Sequence, residues 1–140
     1  MIKRLKITIP LQPKTKKNSQ RIVTRYLPSK GKSVPIIIQS KAYEEYEKAC
    51  GYFIKPKGIK IDYPVNIKCL YYMPTRRTVD LTNLLNATMD ILCFYEVILD
   101  DNRDIVYSVD GSRVLYSKEN PRTEVIITPI KETVEKWAKK

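Results

Sequence analysis

Residues 65–101 read VNIKCLYYMPTRRTVDLTNLLNATMDILCFYEVILDD, and the reading of this stretch decides the fold. VNIKCLYYM (65–73) is rich in β-branched and aromatic side chains and stops at Pro74, which predicts a strand. From Leu81 the period changes. Leu81, Leu84, Leu85, Met89 and Leu92 recur at helical spacing, predicting a helix over 81–95 with Asp80 or Thr82 as its cap. A strand, a turn holding Arg76 and Arg77, a helix and then the acidic pair Asp100–Asp101 follow one another within 37 residues.

Working outward, IKRLKITI (2–9) alternates as a half-buried strand does and ends at Pro10. Residues 12–34 are polar, basic and broken by Pro13, Pro28 and Gly31, which predicts a loop of unusual length and hence a binding loop. VPIIIQ (34–39) reads as a short strand. Ser40 is placed to cap a helix over 41–54 with Ala42, Tyr43, Tyr46, Ala49, Cys50 and Phe53 on its apolar side. Pro56-Lys57-Gly58 ends that element.

Downstream, IVYSVDGSRVLY (105–116) is strand-like around Asp110-Gly111, either a hairpin turn or a bulge within one longer strand. KENPR is a turn, TEVIITPI (123–130) a last strand and KETVEKWAKK (131–140) a short C-terminal helix. Strands and helices are interspersed without repeats or linkers, so the fold class is α+β. The expected form is one domain over residues 1–140: a small mixed sheet, two main helices and the short C-terminal one.

Lys and Arg number 26 against 15 Asp and Glu, a formal charge of +11. A folded chain this basic calls for a polyanionic partner, of which nucleic acid is the commonest. The charge is also divided. Residues 1–79 hold 18 basic and 4 acidic side chains, whereas 80–140 hold 8 and 11, and no acid precedes Glu44. Carboxylates repel phosphate, so an acidic patch in such a protein makes sense when a divalent cation sits between the two. Cys50, Cys69 and Cys93 are widely spaced and there is no histidine, which excludes an ordinary zinc site. No apolar run reaches the roughly 18–20 residues of a membrane span. With no signal-like N-terminus either, the expected location is the cytoplasm.

Hydrolysing a phosphodiester without a covalent intermediate needs an activated water and charge neutralisation, which Mg²⁺ held by carboxylates supplies. A helix over 81–95 travels about 20 Å, and residues 96–101 running extended back along it would cover a similar distance. Such a return would bring Asp100 and Asp101 beside Asp80. Asp90, about 15 Å down the axis from Asp80, falls outside that shell.

At these residues the chain resembles a known family. M-P-x-R-R-x-x-D-L-x-N-L (73–84), a helix, and then L-D-D (99–101) are similar to the RusA-like crossover junction endodeoxyribonucleases, or Holliday junction resolvases. PKTKKNS (13–19) resembles their basic N-terminal loop, and DGSRVLYSKENPRTE (110–124) resembles phage and prophage members. The resemblance implies Mg²⁺-dependent cleavage (Mn²⁺ substituting) of four-way DNA in recombination and repair by a homodimer. It implies Asp80 and Asp101 as catalytic metal ligands, with Asp100 beside them. Thr82 stands where the family often has a carboxylate, and Asn86 where its best-known member has a lysine that assists catalysis; with Asn83 these are supporting polar groups. Lys14, Lys16, Lys17, Asn18, Arg21, Arg76 and Arg77 are the expected DNA contacts. The alternative from another class is a DNA-binding module of this fold that has lost cleavage at Thr82.

Overall fold

The computed structural model describes residues 1–16, 20–39 and 41–131, with the side chains of Gln20, Arg21 and Gln39 outside the description. The expected C-terminal helix, the Ser40 cap, Lys17 and Asn18 lie outside the described residues.

The strand expected at 65–73 forms β4 (Val65–Met73) and is the spine of the molecule. Its residues alternate strictly: Val65, Ile67, Cys69 and Tyr71 are buried, while Asn66, Lys68, Leu70 and Tyr72 point to the other face. The last strand, β7 (Arg122–Pro129), lies antiparallel on one side of β4, and the first, β1 (Leu5–Ile9), lies antiparallel on β7. On the other side of β4 run two short parallel pieces, β5 (Val106–Ser108) and β6 (Arg113–Tyr116). Asp110-Gly111 therefore interrupts one strand and does not reverse it. Gly111 takes φ 87°, and the Asn66 side chain fills the gap by accepting from the Asp110 N–H at 2.7 Å and donating to its carbonyl at 3.2 Å.

Two helices cover the inner face of this mixed sheet. The helix expected at 81–95 is α2 (Leu81–Phe94), which buries Leu84, Ala87, Thr88, Ile91 and Leu92, the 3–4 spacing of one helical face. Tyr71 of β4 closes onto it through a 2.6 Å hydroxyl contact with Thr88, whose hydroxyl also donates to the Leu84 carbonyl. The other helix, α1 (Lys41–Cys50), buries Tyr43, Tyr46 and Cys50 but is shorter than the periodicity suggests. At Gly51 the Tyr95 ring takes the space of a side chain: a β-carbon there would stand 2.6 Å from its hydroxyl oxygen. That hydroxyl donates to the Glu47 carbonyl at 2.7 Å, and Phe53, expected on the apolar face, is exposed.

The largest departure concerns residues 12–34, expected as loop throughout. QRIVTRYL forms β2 (Gln20–Leu27), paired antiparallel with β3 (Lys32–Gln39) as a separate two-stranded sheet. Two arginines interrupt the apolar pattern, yet Ile22, Val23, Thr24 and Tyr26 are strand formers and find partners in SVPIII (33–38). No helix among the described residues is long and apolar enough to cross a membrane.

Candidate active site

In the crossover β4–α2–β5, the chain runs up the strand, down the helix and up again parallel to β4. The loop joining β4 to α2 therefore sits at the carboxyl ends of the parallel strands, where open sheets of this kind bind ligands. Arg76 stacks on the ring of Tyr116, the last residue of β6, at 4.3 Å. Arg77 is exposed and makes no ion pair among the described residues. Asp80 is the N-cap residue of α2, but no side-chain bond caps the helix; its carboxylate accepts from the Asn83 amide at 3.2 Å. A cleft of about 560 Å³ opens beside it, between Pro13, Lys14 and Thr15 on one wall and Thr75, Arg77 and Val79 on the other.

The N-terminal loop continues down the flank of α2. Lys14 lines the cleft at the helix start, while Lys16 pairs with Asp90 at 3.0 Å and lies 5.9 Å from the Tyr43 ring centre. Thr82, Asn86, Asp90 and Cys93 are spaced by four, four and three residues, so they form one polar stripe along the helix. Thr82 and Asn86 are exposed on it, and Asp90 and Cys93 are half-buried.

At the far end of the stripe stand Asp100 and Asp101. One ligand atom from each, together with the Cys93 sulfur, lies within 4.8 Å of the others. Asp100 shapes its own turn, accepting from the Asp101 N–H at 2.7 Å and the Asn102 amide at 3.2 Å. Burial first, and then the negative field of Asp101, Asp100 and Asp90, pushes the Cys93 thiol up to about 11.

The structure thus brings Asp100 and Asp101 to Cys93 and not to Asp80. Cys93 and Asp80 are thirteen residues apart across a continuous helix, about 20 Å along its axis. The extended return imagined from the sequence begins only at β5. Before it, the chain turns at Glu96 (φ 56°) and then runs parallel to residues 60–62, with Ile61 bridging Ile98. Ile105 next gives its carbonyl to the Val65 N–H at 2.8 Å, at the amino end of β4. A parallel β5 must start where β4 starts, so the acids preceding it stay at the bottom of the helix. Asp90, set aside from the sequence because it is far from Asp80, belongs instead to the neighbourhood of this lower pair. Its place could be read from the helical step of four from Asn86.

Residues 8–128 match the family described as endodeoxyribonuclease RusA. The chain belongs to this family. No curated protein matches the sequence. The RusA match runs from the end of β1 through nearly all of β7, so it covers both ends of α2, the basic loop and most of the mixed sheet. The α+β class and the resemblance to RusA-like resolvases therefore hold. Of the expected DNA contacts, Lys14 and Arg77 line the cleft, Arg76 stacks on Tyr116, and Lys16 is engaged with Asp90. Arg21 lies on β2, away from the loop in which it was expected.

Proposed function

We propose that this member of the RusA endodeoxyribonuclease family cuts four-way DNA junctions with the help of Mg²⁺, acting in the cytoplasm as a symmetric homodimer in recombination and repair. The observation that carries the metal reading is the convergence of the Asp100 and Asp101 carboxylates. Two oxygen donors on an exposed turn, with room for waters, suit a hard divalent cation; Mg²⁺ keeps several waters and takes one or two carboxylates. Mn²⁺ fits the same donors, whereas the neighbouring thiol is soft and ill-matched to Mg²⁺. A bound ion there supplies charge neutralisation at phosphate and acidifies a water.

The chain's own residues position the strand. Arg76, Arg77 and Lys14 hold phosphates at the upper cleft, and Thr82, Asn83 and Asn86 offer neutral hydrogen bonds along the helix. Asp80 forms a second acidic station, too far from Asp101 to share one ion with it in this arrangement. Its proposed role is to hold the Asn83 side-chain amide in place at the helix start, where that group can orient the strand. Two copies related by a twofold axis would present two such sites to the two cut strands of a near-symmetric junction.

The separation of Asp80 from Asp101 also favours a second reading, in which the protein binds junctions without cutting them. Incubating the protein with a labelled four-way junction in Mg²⁺ and in EDTA decides between the two. Paired nicks in Mg²⁺, absent in EDTA, support the nuclease. Tight binding with intact strands under every divalent ion supports the binding module.

A further inference from the structure

The β2–β3 ribbon contributes nothing to the core. None of Ile22, Val23, Tyr26, Leu27, Val34, Ile36, Ile37 and Ile38 belongs to the buried cluster or packs against it. Ile22 and Ile37 are directly opposite one another and are 71% and 65% exposed; Tyr26, on the same face, is 62% exposed. A bare apolar ribbon is costly in water and prone to pair with other edges unless something covers it.

Its charge says what. Arg25, Lys30 and Lys32 are exposed and make no ion pair among the described residues. The chain carries no acid before Glu44. Arg25 and Lys32 alternate onto the face opposite Ile22, Tyr26 and Ile37, and Lys30 stands at the tip, so the ribbon carries cations around an apolar face and a nucleic acid backbone would complement them. The dimensions also fit. Each strand has eight residues, which at about 3.4 Å per residue spans some 24 Å, and a two-stranded ribbon enters the major groove of a duplex. Its tip is a tight Pro28–Gly31 turn, closed by the Lys30 and Gly31 N–H groups on the Leu27 carbonyl at 3.0 and 2.9 Å.

We propose that the β2–β3 ribbon is a DNA-gripping arm that lies in the groove of a duplex arm beside the branch point. Ile22, Tyr26 and Ile37 press on the base edges from one face, while Lys30 at the tip and the long side chains of Arg25 and Lys32, reaching round the ribbon's edges from the other face, hold the flanking phosphates. Apolar side chains in the major groove can meet the thymine methyl groups. This inference rests on the proposed DNA-cutting reading but concerns residues other than those of the acidic stations.

The test uses the full chain with a labelled four-way junction in EDTA, followed by fluorescence anisotropy. In Arg25→Ala/Lys30→Ala/Lys32→Ala, the slope of log affinity against log salt should flatten by up to about 2.7. In Ile22→Ser/Tyr26→Ser/Ile37→Ser, affinity should fall roughly tenfold with the slope unchanged. Tyr26→Ser alone should move it in the same direction. Thermal melting should match the parent in all three, because these side chains touch no core residue. If the parent binds and cuts junctions while the variants bind identically, the arm assignment falls and the nuclease reading stands. If the serine variant instead turns a dimer into a monomer by sedimentation, the ribbon is covered by a second copy and the proposal is overturned. A parent that binds no DNA would remove both readings.

Discussion

The two ends of α2 hold acid in opposite surroundings. At its start, the N-cap residue Asp80 stands beside a cleft lined by Lys14 and Arg77, at the carboxyl ends of the parallel strands. At its end, Asp100 and Asp101 meet with Asp90 nearby, and the cation from the basic loop, Lys16, is bound to Asp90. One end is arranged to receive phosphate, the other to receive a divalent cation. The difference follows from topology: a parallel crossover sends its two connections to opposite ends of the sheet, so residues close in sequence are held a helix length apart.

The largest expected effect tests whether both ends serve one reaction. Asp101→Asn should lower junction cleavage by at least roughly a hundredfold, more than the loss of a group that merely supports a metal ligand. It should bind the junction at least as tightly as the parent in EDTA, because a negative charge facing phosphate has gone. Asp80→Asn should also cut more slowly. Parental cleavage rates in both variants would break the assignment. Asp90→Asn, which a site built around Asp80 would ignore, should slow cleavage here because Asp90 lies beside the lower pair.

Next in size is the helix itself. Leu84 near its start and Leu92 near its end are 1% and 0% exposed. Replacing either by Ala should cost about 2–5 kcal/mol, read from urea unfolding. Equal losses would mean that both ends are anchored alike. A much smaller loss at Leu92 would mean that the lower station rests on a frayed turn.

The salt dependence of binding separates the cations. Arg76→Ala with Arg77→Ala should flatten the slope of log affinity against log salt by up to about 1.8. Lys16→Ala should change it less than either arginine does, since its charge is already matched by Asp90 at 3.0 Å. An equal effect would place Lys16 on phosphate.

The smallest effect lies on the sheet, away from both ends. Glu124 has its carboxyl held below the usual range, chiefly by the Arg122 hydrogen bond at 2.6 Å and then by Lys6. A depressed pKa contributes stability above the unfolded value that disappears as pH falls through the folded one. Melting temperature should therefore decline a little more steeply below about pH 4 in the parent than in Glu124→Gln.

Much of this was open to reading in the chain. The residues of β4 and α2 were legible because each carries one clean period, two or 3.6, with a proline and an aspartate at the boundary. The β2 strand was hidden by Arg21 and Arg25, which break its alternation, and by its standing outside the core. A strand that buries little leaves little pattern. Asp100 and Asp101 were legible as a pair, but their position was not. A helix and an extended segment of matching length are compatible with a return to Asp80. Only the parallel pairing of β5 with β4, a long-range fact, keeps them at the far end.

Metal binding tests the central claim most directly. Calorimetric titration of Mn²⁺ into the parent, Asp80→Asn and Asp101→Asn, without DNA, reads where the ion sits independently of cleavage. The account predicts that Asp101→Asn loses most of the affinity, while Asp80→Asn binds the ion as the parent does. Equal losses in both variants, or an unaltered affinity in Asp101→Asn, would contradict it.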